Sequence, residues 1–134
     1  GGHLLYTYWR RFSAEVIALA PICGKPQSDT TESHEKRLEW MHSAQQPGGL
    51  KRNFDLMADT LIGPTARQRQ PEVRLKARAM MDAVSLEAAL AVQQGLMSRP
   101  DSVPTLKTIS VPVCAIAGGE DEINSLAEML VVAE

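Results

Sequence analysis

Two short apolar runs lie near the two ends of the chain, and the pattern between them is helical. The first run spans residues 16–22 and the second spans residues 111–117. Both runs consist mainly of aliphatic residues bounded by turn residues, which is typical of buried strands in a parallel sheet. Pro112 stands at the start of the second run, where a missing N–H costs a strand least. We therefore predict an α/β fold with two parallel strands, 16–22 and 111–117.

Helical periodicity fills most of the remaining chain. An amphipathic helix precedes the first run, and four further segments between the runs repeat apolar residues at helical spacing. Asp29, followed three residues later by Glu32, resembles a capping box and predicts the start of the first of these four helices. The polar residues 65–70 are interpreted as a loop. A last helix is predicted near the end of the chain, with Asn124 or Ser125 as its cap.

Length and composition limit the fold and its partners. The 134 residues are about the size of one domain, and a hydrophobic content of 44% supports a buried core. The formal net charge of −2 argues against non-specific binding of nucleic acid, which requires a basic face. No apolar stretch approaches the ~20 residues of a membrane span, and no signal peptide opens the chain. We expect no nucleic-acid partner, no membrane partner and a cytoplasmic location.

The two cysteines, Cys23 and Cys114, lie at or within the predicted strands. If the carboxyl ends of the strands are level, Cys114 lies about four residues deeper than Cys23, which at ~3.3 Å per residue is too far for a disulfide. Both are interpreted as buried free thiols in a reducing compartment. No CxxC pair or histidine cluster has the spacing of a metal site, and we expect neither a metal nor a cofactor.

Three acids follow the second run directly after a glycine pair. Acids just past the carboxyl end of a strand lie where open α/β sheets bind ligands and carry out chemistry. A strand, a turn and a solvated acidic start of a helix would produce the same pattern. From Leu106 to Asp121 the sequence reads L-x-x-I-x-V-P-V-x-x-I-x-G-G-E-D, which resembles the late strand of an α/β-hydrolase. In that family the following loop carries the acid of a Ser–Asp–His triad. The resemblance implies that Asp121 is this acid, and the spacing from Gly118 favours Asp121 over its neighbours Glu120 and Glu122.

The start of the chain resembles the same family. Many α/β-hydrolases carry G-x-S-x-G-G at the nucleophile elbow, followed by a helix and a strand similar to the run at 16–22. Gly1 and Gly2 would match the last two glycines, so the nucleophile would lie two residues before Gly1. A cloning remnant or a simple helix cap is the alternative for this glycine pair. The resemblance implies a partial hydrolase core at 1–24 and 106–134, with a helical cap inserted at 25–105.

A serine hydrolase needs an attacking serine, a histidine that takes its proton, an acid that orients the histidine, and N–H groups that hold the oxyanion. The sequence contains no G-x-S-x-G motif. The three histidines, His3, His34 and His42, lie in predicted helices and are interpreted as surface or packing residues rather than as the base. Of the four parts, the sequence therefore supplies only the acid.

The resemblance implies a hydrolase of the α/β-hydrolase superfamily that acts on a small carboxylic ester or lactone. It is present as a fragment without its nucleophile and its histidine, so we expect the isolated chain to be inactive. Two strands alone leave sheet edges unpaired, which predicts an oligomer or a missing partner segment. The alternative is a truncated, non-catalytic relative that serves as a binding or interaction module.

Overall fold

The structure, a computed structural model, describes residues 1–133, and the chain divides into two compact units. The split unit consists of Gly1–Ser28 and Pro100–Glu134, and the helical unit consists of Asp29–Arg99. In chain order the helices are α1 (Gly2–Phe12), α2 (Thr31–Ala44), α3 (Gly49–Thr60), α4 (Pro64–Arg69), α5 (Pro71–Asp82), α6 (Leu86–Met97), α7 (Val103–Leu106) and α8 (Leu126–Leu130). A 3₁₀ turn at Ser13–Glu15 follows α1. No helix within residues 1–133 is long and apolar enough to cross a membrane.

The predicted parallel sheet does not form. Helices account for 59% of the chain and β-bridges for only 3%, and residues 1–133 contain no strand. The prediction of an α/β fold with strands at 16–22 and 111–117 is therefore wrong. Two isolated parallel bridges connect these runs instead, pairing Leu19 with Val113 and Ile22 with Ile116.

Pro21 is the physical reason why the two bridges remain separate. Four backbone hydrogen bonds of 2.8–2.9 Å join the runs, from Leu19 N to Pro112 O, Cys114 N to Leu19 O, Ile116 N to Pro21 O and Cys23 N to Ile116 O. In a continuous parallel ladder, the N–H of residue 21 would donate to the carbonyl of Cys114. Proline has no N–H, so this bond cannot form. The residue pairs between the two observed bridges therefore remain unbridged.

Both runs are also less buried than the sequence predicts. In the first run only Leu19 and Pro21 are buried, and in the second every residue is half-buried or exposed. Cys23 is half-buried and Cys114 is exposed, and both are free thiols. The expectation of two buried thiols is therefore wrong. Parallel strands become buried when helices cover both faces of a sheet, and two isolated bridges do not provide such a sheet.

The split unit is held together by contacts between its two segments. Tyr6 and Trp9 on the inner face of α1 are buried. Trp9 Nε1 donates a hydrogen bond to Thr108 Oγ1 at 2.9 Å. Arg10 Nη1 donates to Ser102 Oγ at 2.9 Å and to Thr105 Oγ1 at 3.1 Å. Because Ser102 and Thr105 are buried, these bonds satisfy polar groups that would otherwise lose water without a partner.

The helical unit differs from the predicted pattern at two places. The α2 helix is capped by Thr30, whose side chain accepts a hydrogen bond from Ser33 N, so the predicted capping box at Asp29 is wrong. Asp29 is used instead for salt bridges within this unit. The segment interpreted as a loop, 65–70, forms α4 for most of its length, because Pro64 at the first helical position has a fixed φ that suits a helix start.

Candidate functional site

Asp121 lies in a tight turn directly after the second apolar run. Its N–H donates to Gly118 O at 3.3 Å. Its Oδ1 accepts hydrogen bonds from the backbone N–H groups of Ile123 and Asn124, both at 2.8 Å. A carboxylate that accepts from the backbone two and three residues further on forms an Asx turn. The side chain of Asp121 is therefore held in one orientation by its own turn.

A second segment contacts the same carboxylate. The thiol of Cys23 lies beside this carboxylate and favours its charged form. A Cβ added at Gly118 would lie 3.5 Å from Asp121 Cβ and 4.0 Å from Cys23 Sγ, so these three residues lie together. The sequence pattern did not identify Cys23 as a neighbour of Asp121. Its position at the end of the first run, next to Gly24, was the only signal that could have done so.

The burial and the neighbouring groups of Asp121 determine its charge state. Burial of the carboxyl favours the neutral form and would raise its pKa. The hydrogen bonds from the N–H groups of Asn124 and Ile123, together with the neighbouring Cys23 thiol, favour the charged form and outweigh burial. The pKa of Asp121 is therefore below its usual value, and the side chain is a carboxylate at neutral pH.

The start of α1 lies at the same end of the split unit. A Cβ added at Gly2 would lie 2.7 Å from Gly24 Cα, and a Cβ added at Gly24 would lie 2.8 Å from Gly2 Cα. Neither position has room for a side chain, so the first turn of α1 packs directly on the backbone at Gly24. Tyr6 Oη donates to Gly24 O at 3.3 Å and supports this contact. Since Cys23 precedes Gly24, the pair Cys23-Gly24 lies between the start of α1 and Asp121.

The remaining candidate side chains are distributed over both units. His3 lies on α1 in the split unit, and His34 and His42 lie on α2 in the helical unit. Glu120 and Glu122 flank Asp121 and are exposed. Within residues 1–133, no three or more His, Cys, Asp or Glu side chains are grouped so that they could hold a metal ion. The described arrangement thus provides one oriented carboxylate.

The split unit also contains an apolar groove of about 170 Å³. Leu5 and Tyr6 of α1 and Leu19, Pro21 and Val113 of the two runs contribute to its lining. Over the described part of the chain, no charged side chain lines this groove, and Asp121 is not part of it. The groove is therefore a feature of packing and does not contribute a reactive group.

The backbone of nearly the whole chain matches two solved enzymes. A thermophilic esterase from Thermogutta terrifontis, solved with malate bound, matches 98% of this chain with a TM-score of 0.89 and 24% sequence identity. A hydrolase from Pseudomonas aeruginosa PA01 matches 99% of the chain with a TM-score of 0.83 and 16% identity. The chain therefore shares the fold of the corresponding part of these two proteins. The resemblance inferred from the two apolar runs is thereby confirmed at the level of the fold.

The chain spans about half the length of the solved proteins that it matches, 48% of the first and 49% of the second. No protein-family model matches the sequence. A search among curated proteins found no match either.

Proposed function

We propose that this chain is the carboxyl-side portion of a capped serine-type hydrolase that cleaves a small carboxylic ester or lactone. Asp121 is the acid of its catalytic triad in this proposal. The likeness in fold to an esterase and to a hydrolase supports this reaction class and a small-molecule substrate. The serine and the histidine of the triad would come from segments beyond the two ends of this chain.

One observation carries the proposal: the pair Cys23-Gly24 contacts the start of α1 on one side and Asp121 on the other. In α/β-hydrolases the nucleophile lies at a sharp turn immediately before such a helix. The triad acid must lie near enough for one histidine to reach both groups. A nucleophile placed just before Gly1 would therefore lie at the same end of the split unit as Asp121.

The lowered pKa of Asp121 suits the proposed role. A triad acid remains ionised throughout the reaction, holds the histidine in the correct tautomer and stabilises the imidazolium that forms. Backbone N–H groups from Ile123 and Asn124 already orient the Asp121 carboxylate. An acid that is held and charged before the substrate arrives needs no rearrangement during proton transfer.

The two units support a division into a core and a cap. We propose a hydrolase core at 1–24 and 106–134 and a cap at 25–105. The boundaries of the split unit and the helical unit lie four to six residues from these bounds. The described residues Asp29–Arg99 form a compact unit of their own, as an inserted cap must. A cap of this kind would restrict access to the site and favour a small substrate.

The test uses a protein in which this chain is extended upstream through a G-x-S motif and downstream through a histidine, as read from the flanking coding sequence. In that protein, Asp121→Asn should lower kcat for p-nitrophenyl acetate by about 10⁴-fold, because the histidine loses its orienting charge. The matched controls Glu120→Gln and Glu122→Gln should change kcat little. Wild-type turnover in Asp121→Asn would refute the assignment of the acid. Native start and stop codons at the ends of this chain, without ester hydrolysis, would favour the binding module instead.

A further inference from the structure

Cys23 has a backbone conformation that cysteine rarely adopts. Its φ is +45°, in the left-handed region, and within residues 1–133 it is the only non-glycine residue with a positive φ. This conformation is unfavourable for a residue with a Cβ and persists where the surrounding structure determines it. The residue that follows, Gly24, is fixed by its close approach to Gly2. The left-handed turn at 23–25 is therefore imposed by its contacts rather than by local preference.

The turn is bound to the opposite segment of the split unit at both of its ends. Cys23 N donates to Ile116 O at 2.8 Å, and its side chain lies beside Asp121. Two residues later, Lys25 Nζ lies 2.6 Å from Glu128 Oε1. The Lys25 side chain is only 20% exposed, so this ion pair is partly shielded from water and from salt.

Glu128 has a second role in the same loop. Its Oε2 accepts a hydrogen bond from Ser125 N at 2.9 Å, and Ser125 Oγ accepts one from Glu128 N, which together form the capping box of α8. The loop from Asp121 to Glu128 is thus held at its first residue through Cys23 and at its last residue through Lys25.

We propose that residues 23–25 position the loop that carries Asp121, with the Cys23 side chain packed beside the carboxylate and the Lys25 ammonium holding Glu128. Cys23 and Lys25 are positioning residues in this proposal, since they act through Asp121 and Glu128. The relevance to catalysis rests on the proposed function, in which Asp121 is the triad acid. The contacts themselves exist in the 134-residue chain and can be measured there.

The test is the titration of the Asp121 carboxyl by ¹³C NMR in the 134-residue chain, with the resonance assigned by its loss in Asp121→Asn. Cys23→Gly removes the thiol and also relieves the left-handed strain. We expect it to raise the pKa of Asp121 while the urea midpoint of unfolding stays the same or rises. Cys23→Ser keeps a donor and should retain a lowered pKa. Cys114→Ser, which changes the other free thiol, is the matched control and should leave the titration unchanged.

The Lys25 contact is tested in the same way on Glu128. The hydrogen bond from Lys25 is the main cause of the lowered pKa of Glu128, against an opposing effect of burial, so Lys25→Met should raise that pKa. An unchanged Asp121 titration in Cys23→Gly, or a Cys23→Ser variant that titrates like Cys23→Gly, would overturn the role of the thiol. An unchanged Glu128 titration in Lys25→Met would overturn the role of the ammonium group. None of these titrations requires a substrate, so their outcome is independent of whether Asp121→Asn abolishes activity in the extended protein.

Discussion

Arg99 Nη2 lies 2.7 Å from Asp29 Oδ1, so the last residue of the helical unit is bound to the first. Asp29 also accepts hydrogen bonds from Arg37, at 2.6 Å from Nε and 3.3 Å from Nη2. The side chains of Asp29 and Arg99 are only 3% and 7% exposed. One buried carboxylate therefore joins two guanidinium groups at the point where the chain enters and leaves this unit.

Removal of this carboxylate should strongly destabilise the chain. We expect Asp29→Ala to lower the free energy of unfolding by about 3–5 kcal/mol, since it leaves buried positive charge without a partner. Arg99→Met should cost less, because Asp29 keeps its two hydrogen bonds from Arg37. Urea unfolding measures both changes. Glu32→Gln, which breaks an exposed ion pair with Lys36, is the control and should have no measurable effect. Equal losses in Asp29→Ala and Arg99→Met would contradict the central role of Asp29.

Replacement of Pro21 should join the two bridges. In Pro21→Ala the new N–H faces Cys114 O, and the bond missing from the ladder can form. We expect the amide of residue 21 to exchange with solvent more slowly than the amide of Ala20, whose N–H points to the opposite edge. Hydrogen exchange followed by NMR measures this difference. Rapid exchange at residue 21 would show that proline is not what separates the bridges.

Acid should weaken the fold partly through Asp121. Because the pKa of Asp121 is lowered in the folded chain, its stabilising contribution is present above the unfolded-state pKa of about 3.9. This contribution disappears as the pH falls through the lower folded-state pKa. Urea unfolding at neutral pH and in acid should therefore show a larger loss of stability in the wild type than in Asp121→Asn. Equal losses in the two proteins would mean that the folded state does not lower the pKa of this carboxyl.

The 134-residue chain should be inactive by itself. An acid that orients a histidine cannot form an acyl-enzyme without a nucleophile and a base, and no G-x-S-x-G motif is present. We expect no hydrolysis of a chromogenic short-chain ester above a heat-treated control and no labelling by a fluorophosphonate. Robust labelling of this chain would refute the interpretation as a portion of a serine hydrolase.

The isolated chain should also associate with itself. Within residues 1–133 the two runs pair only with each other, which leaves their outer backbone edges open. Ile17 of the first run is 90% exposed, and both features favour contact between copies. Size-exclusion chromatography with light scattering should show a mass that rises with concentration. Ile17→Lys should reduce this association. Leu75→Lys, at a 66% exposed position on α5, is the matched control and should not. A monomer at high concentration would contradict the prediction.

Local patterns determined much of this protein. The periodicity of α1 follows from apolar residues that share one face, and the start of the last helix follows from Ser125, whose side chain caps α8. The resemblance of the segment that ends at Asp121 to an α/β-hydrolase agrees with the esterase and the hydrolase that the structure matches, although the strand expected there does not form. These signals depend only on residues a few positions apart.

Other features depend on residues that are distant in sequence, and only the tertiary structure decided them. Whether the two runs form a ladder depends on one donor, the missing N–H of Pro21, and on its register with Cys114. Asp29 has the local signal of a helix cap. Its carboxylate instead forms salt bridges with two arginines, and Thr30 caps the helix. The contact between Cys23 and Asp121 joins residues far apart along the chain. Local propensity cannot predict such contacts, because their free energy is set by burial and charge that exist only after the segments have come together.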